Sequence, residues 1–110
     1  MADKRTDIST MSPFSDRELL DARAQLPQHV VHRSFAAETV VLNLRTGKYH
    51  GLNRTAGRIL EALETAPTIG AAVPELSEEY GVEQTQIEAD LIVLCRSLLE
   101  RGLIEIVNDA

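Results

Sequence analysis

Tryptophan is missing from this 110-residue chain, and two Tyr and two Phe are its only aromatics. A core must therefore come from Leu, Ile, Val and Ala, which the 44% hydrophobic content supplies. The single cysteine, Cys95, excludes an intramolecular disulfide and a cysteine-only metal site. No apolar run reaches membrane-spanning length, and Met-Ala-Asp-Lys-Arg leads into polar sequence rather than a signal-peptide core. These features predict a soluble cytoplasmic protein. Basic residues are also short, 11 against 17 acidic, for a formal charge of −6. That balance argues against nucleic acid and against an anionic membrane surface as partners.

Catalytic signatures are missing as well. The chain has no Ser/His/Asp pattern, paired-metal spacing or phosphate loop. His29, His32 and His50 are too scattered for a metal site. Cys95 sits among Leu91, Leu94, Leu98 and Leu99 with no His near in sequence, so it reads as a buried inert thiol. The expectation is a protein that is not an enzyme and holds no cofactor or metal.

What is present is most informative between Thr39 and Asn53. Val40, Leu42 and Leu44 alternate with Thr39, Val41 and Asn43, the period of a half-buried strand. Arg45-Thr46-Gly47 is a short connection in which Gly47 can take a positive φ. Lys48–Leu52 returns as a second strand, and Asn53 stands where a helix N-cap belongs. A strand edge beside a helix can accept a peptide as an added strand.

Around this hairpin the chain reads as one small domain. Residues 1–12 are polar and read as disordered. Ser15-Asp16-Arg17-Glu18 has capping-box spacing and predicts a short helix over about 16–25. It lies outside the main pattern, free to pack on the domain, on a partner or on nothing. His29–Phe35 predicts a first strand. Ala56, Ile59, Leu60 and Leu63 make one face of a helix over 54–65. A second helix over 69–80, with Thr68 as N-cap, would bury Ile69, Ala72, Val73, Leu76 and Tyr80. Pro74 either kinks it or lies in the first turn of regular helix starting near Val73. Gly81 ends it in a left-handed conformation. The third and longest helix, 84–101, would bury Ile87, Leu91, Leu94, Cys95 and Leu98, before Gly102 and a short strand within 103–107. Three strands followed by three helices fit an α+β, winged-helix-like domain with a three-stranded antiparallel sheet. The divisions are an N-terminal extension (1–28), the domain (29–107) and a tail (108–110).

The ordered set Val41-Leu42-Asn43-Leu44, Thr46-Gly47-Lys48-Tyr49, Leu52-Asn53, Gly57, Ile59, Val82, Asp90, Leu98 and Gly102-Leu103-Ile104 resembles the PqqD-like proteins. The resemblance spans about residues 30–107. It implies a non-catalytic recognition element for ribosomally made, post-translationally modified peptides. In that family the precursor's leader adds as an antiparallel strand to the third strand and lies against the third helix. A modifying enzyme then acts on the rest of the peptide. The Tyr-Pro-Glu-Gly-like segment of pyrroloquinoline quinone pathway members is missing. The run from Leu44 to Asn53 looks more like the stand-alone proteins of lasso-peptide clusters, which present the leader to a separate cysteine protease. Three features depart from the family: the N-terminal extension, Pro74, and His50-Gly51 where bulkier residues are common.

Carried onto this sequence, the resemblance implies a peptide site on Lys48, Tyr49, His50, Gly51 and Leu52 and on the third helix around Asp90. Val93, Leu94 and Ser97 are candidates for the groove wall. Tyr49 either lines the groove or packs on the sheet face, and His50 faces the opposite side. Asp90 has neither Arg96 nor Arg101 at a three- or four-residue spacing, so no simple in-helix ion pair is available with them. Glu75, Glu78, Glu79 and Glu83 read as a solvated acidic face. The expected partners are a precursor leader and a tailoring enzyme or leader protease, with a homodimer through exposed strand edges open. The alternative is a winged-helix DNA-binding regulator. Its recognition helix would have Glu88 and Asp90 and no basic residue from Gln84 to Leu94.

Overall fold

A computed structural model describes residues 14–107. The 1–12 segment and the 108–110 tail read from the sequence lie outside the described residues. The elements run α1 (Asp16–Asp21), β1 (Arg23–Gln25), β2 (Val30–Ser34), β3 (Glu38–Asn43), β4 (Lys48–Asn53) and α2 (Arg54–Thr65). A 3-10 turn (Gly70–Ala72), α3 (Val73–Tyr80), α4 (Gln84–Glu100) and β5 (Glu105–Val107) follow.

β2, β3 and β4 form an antiparallel sheet in sequence order, leaving β2 and β4 as its edges. Gly47, at φ 76°, turns the β3–β4 hairpin. Its amide donates to the Asn43 carbonyl at 2.7 Å. The connection is Leu44–Gly47, one residue longer than the sequence suggests. Asn43 closes it from within, because its side-chain oxygen accepts from the amides of Arg45 (2.9 Å) and Thr46 (3.2 Å). Asn53 caps α2 by accepting from the Ala56 amide at 2.8 Å.

α2 packs under β3 and β4 and against β1. Its approach to β3 is close: a Cβ on Gly57 would collide with Thr39 Oγ1. The buried set on β3 is Thr39, Val41 and Asn43, while Val40 and Leu42 point the other way and are half-buried. The strand thus buries its partly polar side and leaves its apolar side on the outer face. The inner polar groups are satisfied, Asn43 by the loop amides and Thr39 Oγ1 by Ser34 Oγ at 3.0 Å.

Pro74 lies in the first turn of α3, which begins at Val73, and the preceding residues form the 3-10 turn. Thr68 Oγ1 accepts from the Ala71 amide at 3.1 Å. Gly81 ends α3 at φ 65°. Tyr80 is exposed rather than buried, because α3 packs on α4 through Val73 and Leu76.

The N-terminal segment differs from its sequence reading. Its helix ends at Asp21, not Gln25, and Arg23–Gln25 pairs with Glu105–Val107 as a two-stranded sheet. A strand partner eighty or more residues away overrides the helix preference of Ala22 and Ala24. Ser15 and Glu18 form the expected capping box. Leu19, Leu20 and Ala24 join one core with Leu60, Ile69, Leu76, Leu91, Leu98 and Leu103.

Candidate functional site

β4 pairs with β3 on one side, so its other edge faces away from the sheet. Such an edge presents a row of backbone N–H and C=O groups. The five candidate residues on β4 divide between the two faces by alternation. Tyr49 and Gly51 lie on the outer face, opposite Leu42 and Val40. Tyr49 is 72% exposed, so it does not serve as core packing. A Cβ at Gly51 would meet Glu38 Oε1 at 3.4 Å, an ordinary contact, so the position admits a side chain. His50 and Leu52 lie on the inner face, opposite Val41 and Thr39. Leu52 is buried in the core and His50 is half-buried. Lys48 is exposed at the hairpin end, where its amide donates to Thr46 Oγ1 at 3.2 Å.

On α4, Asp90, Val93, Leu94 and Ser97 recur at three and four residues and form one stripe. Val93 is 69% exposed, and Leu94 and Ser97 are half-buried beside the inner face of Ile87, Leu91, Cys95 and Leu98. Asp90 Oδ1 accepts from Gln86 Nε2 at 2.9 Å, a partner one turn earlier that a search for arginines misses. Arg96 is engaged elsewhere, donating to Asp16 Oδ1 at 2.6 Å and to the Phe14 carbonyl at 3.1 Å. Among the described residues, no hydrogen bond or ion pair joins the β4 set to the α4 set.

The groups suited to chemistry are held in other ways. Cys95 is fully buried. Burial pushes its thiol up to about 12, against a lesser opposing pull from Arg96, so it stays protonated at neutral pH. His32 Nε2 lies 3.0 Å from Glu64 Oε1, while its Nδ1 is buried without a partner. Among the described residues no group of three or more His, Cys, Asp or Glu is placed to hold a metal. No described helix is long and apolar enough to cross a membrane. Two of the four clustered glutamates are structural: Arg58 joins Glu79 at 2.8 Å and Glu75 at 3.1 Å, linking α2 to α3. The hydrogen bond to Glu79 is the main cause holding the Arg58 pKa above its ordinary value.

The sequence profile described as coenzyme PQQ synthesis protein D, PqqD, matches residues 38–104. A comparison with curated proteins found no match. Two solved structures are similar in sequence and fold. One is TbiB1 in complex with the TbiA(beta) leader peptide, 32% identical, with a TM-score of 0.69, over 77% of this chain and 99% of that one. The other is a lasso peptide synthetase B1 complexed with the leader peptide, 31% identical, with a TM-score of 0.69, over 76% of this chain and 99% of that one. With the profile spanning the hairpin, the capped helix and the long α4, this chain belongs to the PqqD family.

Proposed function

We propose that this protein binds the leader segment of a ribosomally made precursor peptide as an added strand along β4. It presents that peptide to a separate modifying enzyme or leader protease in a lasso-type pathway, and performs no chemistry itself. The observation that carries this reading is the similarity to two leader-peptide complexes, both aligned over nearly their whole length. The edge position of β4 gives it a physical basis.

Backbone pairing along β4 supplies affinity that tolerates sequence change, and side chains beside the edge supply selectivity. In this reading Lys48–Leu52 provides the pairing edge. Asp90, Val93, Leu94 and Ser97 form the wall that reads alternate leader side chains. A leader disordered in solution must be ordered on binding, so affinity settles at roughly micromolar strength. The buried, protonated Cys95 gives no nucleophile, which fits an adaptor. The DNA-binding reading fits less well, because α4 carries Glu88 and Asp90 but no basic residue before Arg96.

The test is a fluorescence titration of the full chain with the synthetic leader of the short precursor encoded beside it, against a scrambled control. Saturable binding of the leader alone is expected. Equal binding of leader and scrambled peptide would overturn the reading.

A further inference from the structure

A peptide strand added to β4 points alternate side chains to the two faces of the sheet. One set turns to the inner side, toward the proposed α4 wall. The other set lies along the outer face, where β4 contributes Tyr49, Gly51 and Asn53. On that face Gly51 lines up with Val40 and Arg33 in one cross-strand row, and Glu38 stands opposite Asn53 in the next. Gly51 therefore leaves a gap at the edge between Tyr49 and Asn53.

The gap opens onto a charge. A Cβ on Gly51 would lie 3.4 Å from Glu38 Oε1, so this carboxylate rests beside the gap, on the β4 side of its own strand. Arg33 is a diagonal neighbour of Glu38 but lies on β2, across β3 from Gly51. Arg54 is committed to the β2–β3 turn, donating twice to the Ala36 carbonyl at 2.8 and 3.2 Å. Glu38 is exposed, and among the described residues no hydrogen bond or ion pair holds its carboxylate.

Reach decides which leader side chain can use that carboxylate. Directly opposed Cβ atoms of an antiparallel pair stand about 4.5–5.5 Å apart. With the 3.4 Å across the gap, a leader residue opposite Gly51 has its Cβ within about 9 Å of Glu38 Oε1. Short polar side chains stop before the far end of that range. The four-carbon stem of Lys and the guanidinium fork of Arg cross it and close a charge-assisted hydrogen bond. Tyr49 favours the same chemistry. It is 72% exposed on the same face, two residues before Gly51. A residue opposite Gly51 is its diagonal neighbour, close enough for the ring to attract a cation.

We propose that Glu38 is a specificity-determining residue for the leader: across Gly51 and beside Tyr49, it selects a Lys or Arg at the leader position paired with Gly51. The proposal rests on the adaptor reading above. It concerns the outward-facing half of the leader, which the α4 wall does not read.

The test is a charge swap, followed by fluorescence titration of the full chain at low ionic strength. Wild type and Glu38→Lys are titrated with the synthetic leader of the precursor encoded beside the chain. Both are then titrated with leaders in which each Lys or Arg in turn is replaced by Glu. At one leader position the replacement should weaken wild-type binding about fivefold or more, and Glu38→Lys should recover that loss. Glu38→Gln, which keeps the shape of the side chain, provides a second comparison should the reversal melt early. It should lose most of the discrimination at that position. A leader without Lys or Arg overturns the proposal. So does equal binding of the natural leader by wild type and Glu38→Lys, or a loss spread over every basic position that neither variant alters, since the preference would then be for general charge. A wild type that binds no leader defeats the adaptor reading and the proposal with it. Leader binding without the swap defeats the proposal alone.

Discussion

At the scale of single residues, contact distance and burial decide more than residue type. Gly57 is the clearest case: any Cβ there collides with Oγ1 and Cβ of Thr39. Gly57→Ala gains up to about 1 kcal/mol in helix preference. The collision costs about 1–3 kcal/mol as overpacking. A net fall in melting temperature by calorimetry is the expected outcome. Cys95 gives a second prediction. Its folded-state pKa is raised by burial from 9.0 to about 12, so the folded chain holds the proton more tightly than the unfolded chain. That stabilising contribution is fully present below about pH 9 and is lost as pH climbs toward about 12. The native protein should resist a thiol reagent at about pH 8 and react only as it unfolds. Rapid labelling without loss of structure would contradict this. Burial of Cys95 was legible from its leucine neighbours. The Gln86 partner of Asp90 was open to the same spacing argument but needed amide as well as charged partners to be considered.

At the scale of elements, the segments fixed by local chemistry were readable and those fixed by distant partners were not. The hairpin turn at Gly47, the Asn53 cap, α2, the start of α3 at Val73 and its end at Gly81 each depend on residues a few positions apart. β1 does not. Its residues favour helix, and pairing with Glu105–Val107 cannot be inferred from their neighbourhood. The inner face of β3 was similarly hidden. Period-2 alternation identifies two sets, but the close approach of Gly57 to Thr39 and the loop bonds of Asn43 select the buried one. The N-terminal helix therefore contributes to the fold, although it precedes the profile match at residues 38–104. Leu19 is fully buried in the common core. Leu19→Ala should cost about 2–5 kcal/mol. A chemical-denaturation midpoint close to that of wild type would show α1 to be dispensable.

On the scale of the whole molecule, an acidic helical body carries a sheet that exposes Val31 and Tyr49 on its outer side, with β4 as one open edge. The proposed adaptor uses the β4 edge for the leader. The sequence conveyed the edge, through the hairpin running into a capped helix. It did not convey the exposed face, because composition and periodicity do not say which side of a strand meets the core. The most direct test of the central claim is amide hydrogen exchange of the full chain with and without the synthetic leader. Strand addition predicts slowed exchange at the outward-facing amides within Lys48–Leu52, a smaller effect along the Asp90–Ser97 stripe, and none along Val30–Ser34. Protection confined to the β2 edge, or no change at β4 with leader in saturating excess, would contradict it.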